Sequence, residues 1–72
     1  MISDANRWCA NSVLTLASEM LARERGITTE EALLSIAGTR AYDALYDEST
    51  GLWGEGPVYF LNFFQECEHI AF

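Results

Sequence analysis

The sequence contains no lysine, so four arginines are its only strong bases against eleven acidic residues. The formal net charge of the 72-residue chain is −7 at pH 7. A protein that binds a nucleic-acid backbone needs cationic side chains at the phosphates, so the composition argues against a nucleic-acid partner. The sequence also lacks any apolar run long enough to span a bilayer, and we expect no membrane association.

Residues that carry chemistry are equally scarce. Cys67 and His69 are the only closely spaced pair of soft metal ligands, but two residues apart on a helix they point to different faces. No second pair completes a tetrahedral metal site. The glycines within residues 51–56 lack the following lysine and the preceding strand of a phosphate loop. We therefore expect no metal, no cofactor and no catalytic residue, and we predict that the chain is not an enzyme.

The two cysteines are far apart in the sequence, at Cys9 and Cys67. The chain does not begin with a basic segment followed by an apolar one, which predicts that it is cytoplasmic rather than exported. Thiols stay reduced in that compartment, so a disulfide is not expected. Both cysteines lie in apolar stretches, and the favoured interpretation makes each a small core residue.

A long amphipathic helix is predicted near the start of the chain, from about Asp4 to Arg25. Ser3 can cap its first turn, and Gly26, which follows directly, is a typical stop. Apolar residues recur at spacings of three and four, as on one face of a helix. The predicted buried face consists of Cys9, Val13, Leu16 and Met20, widened by Trp8, Ala17 and Leu21.

Two shorter helices are predicted in the middle of the chain. Thr28 and Glu31 have the spacing of a capping box, at the start of a helix that ends near Ala37. A further helix is predicted from Arg40 to about Tyr46. Gly38 lies between the two, and because a glycine inside a helix costs only about 1 kcal/mol, one longer helix remains an alternative.

A loop is predicted from Asp47 to Gly56, followed by a last helix from Pro57 to about Ile70. Trp53 in the loop either tucks against the helices or forms an exposed contact, and tucking is the favoured interpretation. Asn62 is the only polar residue between positions 58 and 64. A helix that is apolar nearly all round is expected to be buried on more than one face.

These elements predict a single all-α domain over residues 1–72, a small bundle of about four helices, two long and two short. A chain this short is close to the lower limit for folding alone, and no disulfide or metal is expected to support it. Association would bury further apolar surface, so we expect a homodimer or a complex with another protein, formed through the last helix. The alternative is that the last helix is central in its own bundle.

The predicted function is that of a non-enzymatic protein–protein interaction module, acting through the aromatic last helix and an acidic surface. Aromatic anchors inside a polar rim are the usual composition of such an interface. The predicted partner-binding residues are Trp53, Tyr59, Phe60 and Phe63, with Asp47 and Glu48 at the rim.

A helix-turn-helix DNA-binding regulator is the alternative function. The two short helices on either side of Gly38 have the gross layout of that motif. A recognition helix should carry several basic or amide side chains, whereas the second of these helices has only Arg40, accompanied by Asp43. A plain helical hairpin is therefore the favoured interpretation.

Three short segments and the aromatic last helix together suggest a family. The segments are Ile27–Ala32, a Tyr-x-x-Leu-Tyr-Asp element at residues 42–47, and the turn Thr50–Trp53. With them, the stretch from Ile27 to Phe64 resembles a family of small bacterial all-helical proteins of unknown function. Some such families are encoded beside toxin genes, so the resemblance implies an antitoxin-like binding role. It carries over no catalytic residues.

Overall fold

Four α-helices make up most of the computed structural model, which describes the backbone of residues 2–70 and the side chains of residues 2–68. No strand is present in that part of the chain, and the predicted all-α bundle is confirmed. Two short 3-10 turns connect the third helix to the fourth. The helices are α1 (Asp4–Arg25), α2 (Thr29–Ala37), α3 (Arg40–Leu45) and α4 (Pro57–Ile70), and the 3-10 turns are Glu48–Thr50 and Leu52–Gly54.

Both ends of α1 are set by local chemistry. The Ser3 hydroxyl accepts a hydrogen bond from the Asn6 backbone N–H at 3.2 Å. At the other end Gly26 has φ of 68°, the left-handed conformation that glycine adopts without strain, and its N–H bonds the Ala22 carbonyl. The predicted bounds of this helix are confirmed.

The capping box at the start of α2 is complete. The Thr28 backbone N–H donates to the Glu31 carboxylate at 2.9 Å, and the Glu31 backbone N–H donates to the Thr28 hydroxyl at 3.1 Å. The helix ends before Gly38, and Thr39 is extended, with φ of −114° and ψ of 167°. An extended residue interrupts the helix, so the middle of the chain forms two helices rather than one longer helix.

The predicted buried face of α1 is partly correct: Val13, Ala17 and Leu21 are buried, and Met20 is partly buried against the core. Three of its members are wrong. Cys9 is exposed, and Trp8 and Leu16 keep 75% and 48% of their surface in contact with solvent. The centre of the observed buried face is rotated about the helix axis by roughly 100° from the centre of the predicted one, which is the angle between neighbouring helix residues. It is rich in small side chains, because α1 packs closely against α2 and α4. Its members are Ala10, Val13, Leu14, Ala17, Ser18, Leu21 and Ala22.

The centre of the bundle is formed mainly by α4. Phe60 and Phe64 are fully buried, and Leu61 is 5% exposed. This helix packs against both α1 and α3, while Val58 and Tyr59 in its first turns are exposed. One broad face of α4 is therefore enclosed by the chain itself, and the opposite side is open to solvent.

Polar contacts hold the last turns of α1 and α4 side by side. The Arg25 guanidinium forms an ion pair with Glu68 at 2.5 Å and lies 5.9 Å from the centre of the Phe64 ring. The Gln65 amide donates to the Glu24 carboxylate at 3.2 Å. Hydrogen bonding to Glu68 raises the pKa of Arg25. Because the ion pair is partly exposed, its main effect is to align the helices rather than to stabilise the fold strongly.

The end of α3 is attached to α1 by a tyrosine. The Tyr46 hydroxyl donates a hydrogen bond to the Asn11 side-chain oxygen, and the Tyr46 ring lies 5.0 Å from that of Tyr42. Partial burial raises the pKa of Tyr46. Asn11 is exposed, so this hydrogen bond lies at the surface of the bundle.

Ser18 is the one buried polar side chain of the described core that lacks a hydrogen-bond partner there. A buried hydroxyl without a partner loses its hydration and gains nothing in return. Ser18→Ala is therefore expected to raise the free energy of unfolding by about 1 kcal/mol. In a domain of this size, that gain raises the midpoint of thermal unfolding by roughly 4–8 °C.

Ser35→Ala is the matched control for Ser18→Ala, because Ser35 is an exposed serine within a helix, α2. It gains only the higher helix propensity of alanine, about 0.5 kcal/mol. A Ser18→Ala variant that gains no more stability than Ser35→Ala, or loses stability, would show that the Ser18 hydroxyl has a hydrogen-bond partner in solution.

Candidate partner-binding surface

Glu48, one of the two predicted rim acids, connects the first 3-10 turn to the start of α1. Its carboxylate accepts hydrogen bonds from the Ser3 backbone N–H at 3.1 Å and from the Asn6 side-chain amide at 2.7 Å. These bonds favour the charged form and lower the pKa of Glu48, the Ser3 bond most strongly. Glu48 is exposed, so it is both a structural tie and part of the acidic surface.

Asp47, the other predicted rim acid, caps the same turn. Its carboxylate accepts from the Ser49 hydroxyl at 2.7 Å and from the Ser49 backbone N–H at 3.0 Å. The hydroxyl contact is the largest cause of a lowered pKa for Asp47. Both rim acids are thus ionised at neutral pH, and a substitution at either would also loosen the fold.

Trp53 tucks back onto the bundle, as predicted. It is partly buried against the hydrophobic core, and its indole N–H donates to the Glu48 carbonyl at 3.1 Å. The structure therefore brings together Trp53 and Glu48 from the predicted set. The indole therefore holds the segment before α4 against the bundle. Only part of the Trp53 side chain is left exposed to contact a partner.

The placement of Phe60 on a contact surface is wrong. Its side chain is fully buried, because it lies on the side of α4 that packs against α1 and α3. Phe63 is partly buried and also packs against the core. Of the predicted aromatic anchors, Tyr59 is the one that is more than half exposed, at 54%.

An exposed strip of α4 includes residues that the sequence analysis did not single out. Val58 is 59% exposed and adjoins Tyr59, and both Asn62 and Glu66 are exposed as well. We call Val58, Tyr59, Asn62 and Glu66 the α4 outer face. One signal could have located it, because Asn62 is the single polar residue in the aromatic stretch and marks the solvent side.

A second exposed surface lies on α1. Residues Trp8, Asn11, Ser12, Thr15 and Leu16 line an open depression of about 440 Å³. All five are exposed. Two aliphatic residues of α2, Leu33 and Leu34, are also exposed, at 37% and 73%.

The elements of the predicted helix-turn-helix are present as a helical hairpin. In α3, Ala41 and Leu45 are buried and Arg40 is the only base. A six-residue helix with one basic side chain has too few groups to contact base edges and neutralise phosphates in a DNA groove. This observation favours the plain hairpin over a recognition helix.

Reactive and metal-binding groups form no cluster in the described residues. No group of three or more His, Cys, Asp and Glu side chains there could hold a metal ion. Cys67 is partly buried and Cys9 is exposed. The side chain of His69, which the sequence analysis considered beside Cys67, lies outside the described residues.

None of the helices found in residues 2–70 combines the length and the apolar character that a membrane span requires. Comparison of the chain with protein-family models, with curated proteins and with solved structures gives no match.

Proposed function

We propose that the protein is a non-enzymatic interaction module that binds a basic partner protein through the α4 outer face. The observation that carries the proposal is the pair of adjacent large side chains, Val58 and Tyr59, that are both more than half exposed. A tyrosine beside an aliphatic residue, with polar Asn62 and Glu66 next to it, has the composition of an interface core with its rim.

The charge of the chain specifies the kind of partner. Asp47, Glu48 and Glu55 precede α4, Glu66 lies on it, and all four are exposed. The negative electrostatic potential of these residues raises the rate at which a cationic partner associates, and it disfavours the binding of acidic proteins. The matching surface is an apolar pocket surrounded by arginine or lysine side chains.

The role that this supports is regulatory. An acidic module seated on a basic surface, such as a groove that binds nucleic acid, blocks that groove by occupying it. An antitoxin-like role, which the sequence resemblance implies, is one form of this activity. The proposal includes a cytoplasmic location, where the exposed thiol of Cys9 stays reduced.

Photo-crosslinking in cells of the source organism tests this proposal. A benzophenone amino acid placed at Tyr59 is expected to crosslink to another protein, and the same probe at Glu30 of α2 is the control for a random surface position. Crosslinking should decrease when salt is raised in cell extracts, because exposed charges are then screened. Equal crosslinking from both positions, or none from position 59, contradicts the proposal.

Two substitutions to alanine measure how much the Tyr59 side chain contributes to binding. Tyr59→Ala is expected to weaken binding of the crosslinked partner roughly tenfold or more, as truncation of an interface tyrosine does. Leu34→Ala removes a comparably exposed apolar side chain from α2 and is expected to leave binding unchanged. Equal losses in the two variants would show that the α4 outer face has no special role.

A further inference from the structure

The solvent side of α1 lacks charge over its middle three turns. No acidic or basic residue occurs between Arg7 and Glu19, in a chain with a net charge of −7. Trp8 is nevertheless 75% exposed and Leu16 48% exposed in this segment. An exposed helix face normally carries charged residues, so an uncharged face with a bare tryptophan is typical of a helix that pairs with another.

The residues along this side have a symmetrical order. The α1 stripe consists of Asp4, Trp8, Ser12, Thr15, Glu19 and Arg23, all of which are exposed. Successive members are spaced by four, four, three, four and four residues, and these spacings keep them on one side of the helix. The spacing reads the same from either end.

We propose that two copies of the chain associate through their α1 stripes, with the two helices antiparallel. A two-fold axis midway between Ser12 and Thr15 then places each member of the stripe opposite a member of the other copy. Asp4 faces the partner's Arg23, Trp8 faces the partner's Glu19, and Ser12 faces the partner's Thr15. The same surface serves both copies, as a two-fold interface requires.

The chemistry of each facing pair is complementary. Asp4 and Arg23 have opposite charge, and neither forms an ion pair within the described residues. The Trp8 indole N–H can donate to a carboxylate such as that of Glu19. Ser12 and Thr15 are small, so the helices approach closely at the centre, where the depression between Trp8 and Leu16 receives the middle of the partner helix.

A parallel pairing lacks this complementarity. It would place Asp4 opposite Asp4 and Arg23 opposite Arg23, which repel, and would align the two helix dipoles unfavourably. The antiparallel arrangement opposes the dipoles. It also uses a helix other than α4, so the α4 outer face stays free and the dimer presents two copies of it.

Exchange of charge between two variants tests the pairing. Asp4→Arg and Arg23→Asp each place like charges opposite each other twice in a homodimer, and each is expected to weaken association roughly tenfold at low salt. In an equimolar mixture, the arginine introduced at position 4 of one variant meets the aspartate introduced at position 23 of the other. The native Arg23 of the first variant likewise meets the native Asp4 of the second. The mixture is therefore expected to recover association, as a heterodimer.

Sedimentation equilibrium over a hundredfold concentration range provides the measurement, with one variant mass-labelled to identify the heterodimer. A wild-type chain that is monomeric throughout overturns the proposal, and so does a mixture that associates no better than its components. Loss of folding in a variant cannot mimic the expected result, because the same two proteins must regain association when mixed.

Thiol crosslinking gives a second measurement that does not depend on charge reversal. In a background that carries Cys9→Ser and Cys67→Ala, an Asp4→Cys protein mixed with an Arg23→Cys protein is expected to yield the mixed product with a short bifunctional reagent. Self-linked Asp4→Cys dimers as the main product would overturn the antiparallel arrangement. Tyr59→Ala is expected to leave self-association unchanged, which separates this proposal from the function assigned to the α4 outer face.

Discussion

Phe60→Ala is expected to lower the free energy of unfolding by about 3–5 kcal/mol, the usual cost of truncating a buried phenylalanine. The side chain is fully buried where α4 meets α1 and α3, so its removal leaves a cavity bordered by three helices. Domains are stable by only about 0.05–0.15 kcal/mol per residue, so a 72-residue chain has little stability to lose. The variant is expected to be largely unfolded near its physiological temperature.

Urea denaturation followed by circular dichroism measures this loss, and Tyr59→Ala is the control at the neighbouring position. Tyr59 is 54% exposed, so its truncation is expected to change the unfolding free energy by no more than about 0.5–1 kcal/mol. If Phe60→Ala kept wild-type stability but lost partner binding, the assignment of Phe60 to the core would be wrong. The same pair of variants thus tests which side of α4 faces inward.

Ile36→Ala is expected to lower the free energy of unfolding by about 2–5 kcal/mol. Ile36 is fully buried on α2, which packs against α1 and α3. Two residues earlier, Leu34 is 73% exposed. Both positions lie on the same nine-residue helix, but only one of them contributes to the core.

Leu34→Ala is the matched control for Ile36→Ala, because it removes an aliphatic side chain of equal size from the same helix. Its expected effect is within about 0.5 kcal/mol, since an exposed leucine gains little from folding. Comparable losses from the two substitutions, measured by urea denaturation, would mean that α2 is rotated in solution and buries Leu34 as well.

The ends of the helices could be predicted because they depend on neighbouring residues. Ser3 bonds Asn6 and Thr28 bonds Glu31, each across three residues, so the signal lies within one turn of chain. Gly26 acts through its own backbone conformation. Such local effects are visible without knowledge of the tertiary structure.

The buried side of α1 could not be found in the same way. Periodicity favours large apolar residues, and therefore Trp8 and Leu16, whereas close helix packing also buries small ones such as Ala10 and Ala22. Which of two overlapping faces is buried depends on the helices packed against it. That information is spread over the whole chain.

The candidate site was predictable in composition and only partly in detail. Tyr59 is exposed and Trp53 is tucked back, as the sequence indicated, but Phe60 faces the core. The partners of Glu48, at Ser3 and Asn6, are more than forty residues away in sequence. No local pattern could show that this acid holds two distant segments together.

The hydrogen bonds of Glu48 to Ser3 and Asn6 also mean that the first turn of α1 folds in two stages. The Ser3–Asn6 cap needs only a few neighbouring residues and can form as fast as a helix does, within about a microsecond. The Glu48 bonds must wait until a long intervening loop has closed, which is slower because of its entropic cost. During synthesis, residue 48 also leaves the ribosome after the whole of α1. The new helix is therefore stabilised at its start by the local Ser3 cap alone until Glu48 arrives.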